Sequence, residues 1–182
     1  MEKLRVEKID TISIYESYST GSSKLLTLKP DQKLDDCLFS IVPKDVYFFW
    51  QKGGKTFSTK KNDCFDYPIV EIHDSNLWKI FFQNRTEIES EKPKRFQSKS
   101  DGFMTNVHSS YRDFKFIIQN KTVKQKFDLF DFIKKEKYRE NPRQNLSFKF
   151  NQKLKSKVVM DILENLSKKF DTKYNNSKQK RE

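Results

Sequence analysis

Short runs of alternating or continuous apolar residues, separated by turn residues, punctuate the first 73 positions, and alternation with a period of two puts successive side chains on opposite faces of a strand. Residues 11–15, Thr-Ile-Ser-Ile-Tyr, show this most clearly, and the pattern resumes at 24–29 after the turn residues 19–23. Short apolar runs at 37–42 and 46–51 flank Pro43-Lys44-Asp45. Gly53-Gly54 then predicts a tight hairpin into 55–59, because two-residue loops favour residues that tolerate positive φ. A β-branched run at 68–73 completes an antiparallel meander of five to seven strands.

The period then lengthens. Asp74-Ser75-Asn76 supplies N-cap residue types, and Leu77, Ile80, Phe81 and Asn84 share a helical face, so a short central helix is expected. Residues 85–102 are polar and charged and read as a basic loop, a candidate sub-boundary. Strands at 103–107, 112–119 and 122–127 follow, the last two forming a second hairpin through Asn120-Lys121. Leu129, Phe132, Ile133 and Glu136 suggest a helix ending near Asn141-Pro142. Leu146-Ser-Phe148-Lys-Phe150 alternates and reads as a strand. Leu154, Val158, Ile162, Leu163, Leu166 and Phe170 trace a C-terminal amphipathic helix. The fold class is thus α+β: one domain over 1–170, with a disordered basic tail at 171–182.

Composition sharpens this picture. Seventeen Phe among 182 residues supply enough large rings for a core despite modest aliphatic content. No stretch approaches the roughly 18 apolar residues of a membrane span, and the N-terminus lacks the apolar run of a secretory signal. A cytoplasmic location is expected. Without a secretory signal Cys37 and Cys64 are expected as two free thiols, and their acidic neighbours disfavour a reactive thiolate.

Charge is the most uneven feature. Residues 1–91 carry 13 Lys+Arg against 15 Asp+Glu, whereas 92–182 carry 24 against 10, which makes the second half strongly basic. The absence of Ala, with 30 Lys to only 7 Arg, points to an A/T-rich coding sequence and so accounts for part of the lysine content. The asymmetry itself suggests a surface for a polyanion such as RNA or DNA. Lys92, Lys94, Arg95 and Lys99 in the loop and Lys121, Lys124 and Lys126 on the hairpin are the residues expected to contact it.

Two other classes stay open. His73, Glu71 and His108 supply the residue types for a metal-independent nuclease, provided the chain brings them together. A metal-dependent variant could use Asp63 or Asp66 with Glu71 and His73, although two His and two acid-flanked Cys offer no zinc spacing. The acidic first half could instead meet a protein partner. Gly53-Gly54-Lys55-Thr56 lacks the earlier glycine of a phosphate-binding loop. No cofactor motif is present.

Overall fold

A computed structural model describes residues 9, 11–20, 45–62, 66–73, 76–136 and 141–179, with side chains to residue 174. Cys37, Cys64, Asp63 and the expected strands at 24–29 and 37–42 lie outside the described residues.

The alternating runs become strands wherever one face can be buried. Six of them form an antiparallel sheet: β1 (Thr11–Ser19), β2 (Asp45–Lys52), β3 (Lys55–Lys61), β4 (Val70–Ile72), β7 (Ser110–Ile118) and β8 (Lys121–Asp128). Their spatial order is β4-β3-β2-β1-β7-β8, which leaves β4 and β8 at the two edges. Gly53 and Gly54 turn β2 into β3 with φ of 57° and 75°, the conformation this loop requires. The second hairpin turns through Gln119 and Asn120, one residue earlier than the sequence suggests, with Gln119 at φ 49°.

Register decides which residues are inside. Ser13 pairs with Phe49 on one side and Phe116 on the other, and Phe49 with Ser58, so small hydroxyls alternate with rings across the inner face. Helices cover that face. α1 (Leu77–Gln83) stacks Phe81 on Phe116 at 3.6 Å and donates from Trp78 Nε1 to Thr56 Oγ1 at 3.1 Å. α2 (Arg85–Ser90) buries Ile88, so the segment expected to be loop begins as helix. Residues 97–103 then form a small hairpin, β5 (Gln97–Ser98) with β6 (Gly102–Phe103), where a strand at 103–107 was expected.

Beyond β8 the expected helix shrinks to a 3-10 turn, Leu129–Phe132, started by Asp128 accepting from the Phe130 amide. The alternating segment 146–150 is not a strand. It leads into α3 (Phe148–Asn151), because the Asn145 carboxamide accepts from the Ser147 amide and curls the backbone. α4 (Lys155–Gln179) crosses the inner face and buries Val159, Met160, Leu163, Leu166 and Phe170. Helix continues well past residue 171. Asp171 accepts from Tyr47 Oη at 2.7 Å and from Lys60 Nζ at 3.2 Å, fastening α4 to β2 and β3. Among the described residues, no helix is long and apolar enough to cross a membrane.

The opposite, outer face carries a smaller apolar cluster of Ile12, Ile14 and Trp50. Toward its β8 side it becomes polar.

Candidate polyanion interface

The loop from Glu91 to Ser98 has a fixed backbone and exposed cationic side chains. Gln125, on the inner side of β8, donates to the carbonyls of Ile88 and, at 3.1 Å, Glu91. Lys94 exchanges two backbone bonds with the fully buried Asn151, its amide donating to Oδ1 at 2.8 Å and its carbonyl accepting from Nδ2 at 2.7 Å. The Phe96 amide donates to Asp131 at 2.7 Å, and its ring stacks on Phe130 at 4.8 Å. Gln97 is held through both its amide and its carbonyl, by Asn145 and by the Leu146 amide. Burial pushes the Asp131 carboxyl pKa up, opposed by the Phe96 amide and the Arg95 charge.

Four expected contacts, Lys92, Lys94, Arg95 and Lys99, all project from this anchored loop and are exposed. Beside them, α3 and the start of α4 add Lys149, Lys153 and Lys155, also exposed. Lys94 Nζ lies 4.2 Å from the centre of the Phe150 ring, a cation–π contact. Phe150 is 42% exposed, so one side of the ring remains in solvent. The alternation argument would bury it, and that argument fails because the segment is helical. Segments 91–101 and 143–155 hold two carboxylates. Glu91 accepts from the Lys155 and Ser156 amides at 2.9 and 2.7 Å, capping α4, and Asp101 pairs with Arg143 at 2.5 Å.

The hairpin lysines divide. Period two puts Lys124 and Lys126 on the outer face of β8 and Lys121 on the inner side with Val123 and Gln125. Lys124 and Lys126 line a groove of about 390 Å³ with Lys115, Glu16 and Asp113. At its end Tyr18 and Tyr111 stack at 5.3 Å, and Lys126 Nζ sits 4.8 Å from the Tyr111 ring and 5.7 Å from Tyr18. Contact with the Tyr18 hydroxyl raises the Lys126 pKa against a small opposing effect of burial. Tyr18 also donates to Asp113 at 3.2 Å. Neither Lys115 nor the Tyr18–Tyr111 pair, 93 positions apart, was among the contacts expected from sequence.

The acid–base set is not assembled. Ile72 pairs with Thr56, level with the Ile118 end of the sheet, whereas His108 precedes Ser110 at the other end of β7. Four strand spacings of roughly 4.8 Å separate β4 from β7, and the length of β7 adds about 27 Å, so His73 and His108 lie on the order of 30 Å apart. Glu71 pairs with Lys55 at 3.0 Å, and both histidines are exposed. Asp66 pairs with Lys61 at 3.2 Å, away from Glu71. Among the described residues no three His, Cys, Asp or Glu gather as a metal site.

No family model, curated protein or solved structure matches the chain.

Proposed function

We propose that this protein is a non-enzymatic accessory module that binds RNA or DNA through its basic second half, and that it acts in the cytoplasm. The observation that carries the reading is the local balance around Phe150. Lys94 packs on the exposed Phe150 ring, and seven further cationic side chains belong to 92–99 and 143–155. The two carboxylates of the neighbouring segments are engaged, Glu91 in capping a helix and Asp101 with Arg143, one of the seven. Cations held on a rigid backbone meet phosphates, and an exposed ring offers a stacking surface for a base. The separation of His73 from His108 speaks against cleavage by that pair.

The test is fluorescence anisotropy with labelled RNA and DNA oligonucleotides at about 50 and 200 mM salt. If Lys92, Lys94, Arg95 and Lys99 each neutralise one phosphate, affinity should fall roughly 50- to 150-fold over that range. Reversing those four charges should abolish most of the binding and flatten the salt dependence. No binding at 50 mM salt would sink the reading. Recovery of a cut probe, with His73→Ala protein leaving it whole, would replace it with the nuclease.

A further inference from the structure

The loop surface and the outer-face groove lie on opposite sides of one strand. Gln125 stands between Lys124 and Lys126 in β8, and period two turns it to the inner side, where it holds the Glu91 carbonyl. Lys92 is the next residue, and Lys94 is at most about 10 Å of extended chain from Glu91. On the outer side, the Tyr18–Tyr111 pair positions Lys126 beside Lys124 and Lys115. Lys115 and Lys124 share that groove with Glu16 and Asp113, of which Asp113 is engaged by Tyr18. Among the described residues the β8 edge lies between the two surfaces, with Lys121, Thr122, Lys124 and Lys126 all exposed. Both surfaces sit toward the Asp128 end of that strand, since Asp113 pairs with Lys126 and Lys94 is tied through Asn151 to Asp131.

A polyanion touching both surfaces must reverse direction around a single strand's thickness. Duplex DNA, stiff over about 150 base pairs, does not turn that sharply, whereas a single strand does. Resting on the nucleic-acid reading above, we propose that the occupant is one single strand wrapped over the β8 edge. A base stacks on Phe150 with adjacent phosphates on Lys92 and Lys94, and the continuing backbone meets Lys115, Lys124 and Lys126.

The experiment measures anisotropy of the full chain with labelled oligothymidylates of 5 and 15 nucleotides and a 15-base-pair duplex. The variants are Lys115→Glu/Lys124→Glu on the outer face, Phe150→Ala on the inner side, and Lys79→Glu/Lys169→Glu as a charge-matched control on exposed helix positions. Thermal melts confirm that each variant is folded. The 15-mer should bind at least 10-fold tighter than the duplex. It should lose about 10-fold or more in each site variant and less than 3-fold in the control. The 5-mer, which can neutralise fewer of the cations at once, should bind more weakly than the 15-mer. Equal binding of duplex and 15-mer overturns the wrapped path. So does a 15-mer indifferent to the outer-face variant but sensitive to Phe150→Ala, while that result leaves the nucleic-acid reading standing. If no probe binds the unaltered protein, both fall together.

Discussion

Asn151→Ala should damage both the stability and the binding surface without removing a charge. Asn151 is fully buried and makes three bonds: it accepts from the Lys94 amide at 2.8 Å and donates to the Lys94 and Asp131 carbonyls at 2.7 and 2.9 Å. The Asp131 carbonyl keeps a second donor in Asn145, also at 2.9 Å, so the loss falls mainly on Lys94. Two backbone groups left bare at about 1–1.5 kcal/mol each, plus a small cavity, give roughly 3 kcal/mol. For a chain of this size that is a fall in Tm of roughly 6–12 °C. Urea denaturation followed by circular dichroism measures the free energy, and amide exchange at Lys94 reports the loop directly. Nucleic-acid affinity should drop several-fold with an unchanged salt slope, because the cations remain but their backbone is loosened. Asn145→Ala combined with Asn151→Ala strips Asp131 of both donors, so the double variant should lose about 1 kcal/mol more than the two single losses together. A single-variant loss below 1 kcal/mol, or strict additivity, would refute the claim that these asparagines form one shared anchor.

Glu91→Ala should cost about 1–2 kcal/mol by uncapping α4, with Glu91→Gln losing about half of that since an acceptor remains; urea midpoints distinguish them. Asp131 has a raised pKa in the fold, so its contribution is fully present below the ordinary Asp value and is lost as pH rises through the folded value. Asp131→Asn still accepts from the Phe96 amide, and its stability relative to the parent should therefore be higher at pH 7 than at pH 4; a gap that is constant or reversed contradicts the burial argument. Lys60 lies buried between Asp45 at 2.8 Å and Asp171 at 3.2 Å. Lys60→Met should cost about 3 kcal/mol by leaving both carboxylates facing an uncharged chain, and adding Asp171→Asn should recover part of it in the same melts.

Strand positions were legible wherever one buried face repeats every two residues, and Gly53-Gly54 was legible because both turn positions need positive φ. The errors share a cause. Leu146–Phe150 alternates, yet the Asn145 side chain bonds to the Ser147 amide and supplies a local alternative to the strand. Residues 85–102 look polar because their anchors lie elsewhere in the chain, in Gln125, Asp131, Asn145 and Asn151. The C-terminal helix was found with most of its stripe, since Leu154, Leu163, Leu166 and Phe170 are buried and Ile162 packs on the core; only Val158 is misplaced, exposed while Val159 is buried in its stead. The exposure of the loop cations and of the outward Lys124 and Lys126 followed from sequence. Phe150 did not, since its exposure depends on that same misread turn, and the Tyr18–Tyr111 stack depends on β1 pairing with β7 across most of the chain.

The codon argument accounts for many lysines but not for the scarcity of carboxylates, because Asp and Glu codons are compatible with an A/T-rich sequence. The described carboxylates of the second half are tied into the fold. Asp101 and Asp161 pair with Arg143 and Lys157, and Glu164 with Arg112 and Lys168. Asp113 and Asp171 accept from Tyr18 and Tyr47, Asp128 and Asp131 from the Phe130 and Phe96 amides, and Glu136 is buried. A solvated lysine coat arising from codon usage alone would leave free carboxylates scattered among the cations. Here the carboxylates serve as caps, latches and ion pairs, while Lys92, Lys99, Lys115, Lys124, Lys149 and Lys153 have no such partner among the described residues. Of these, Lys92 follows the residue that Gln125 holds on the inner side of β8, and Lys115 and Lys124 line its outer groove, so part of the unmatched charge falls where the proposed single strand would cross.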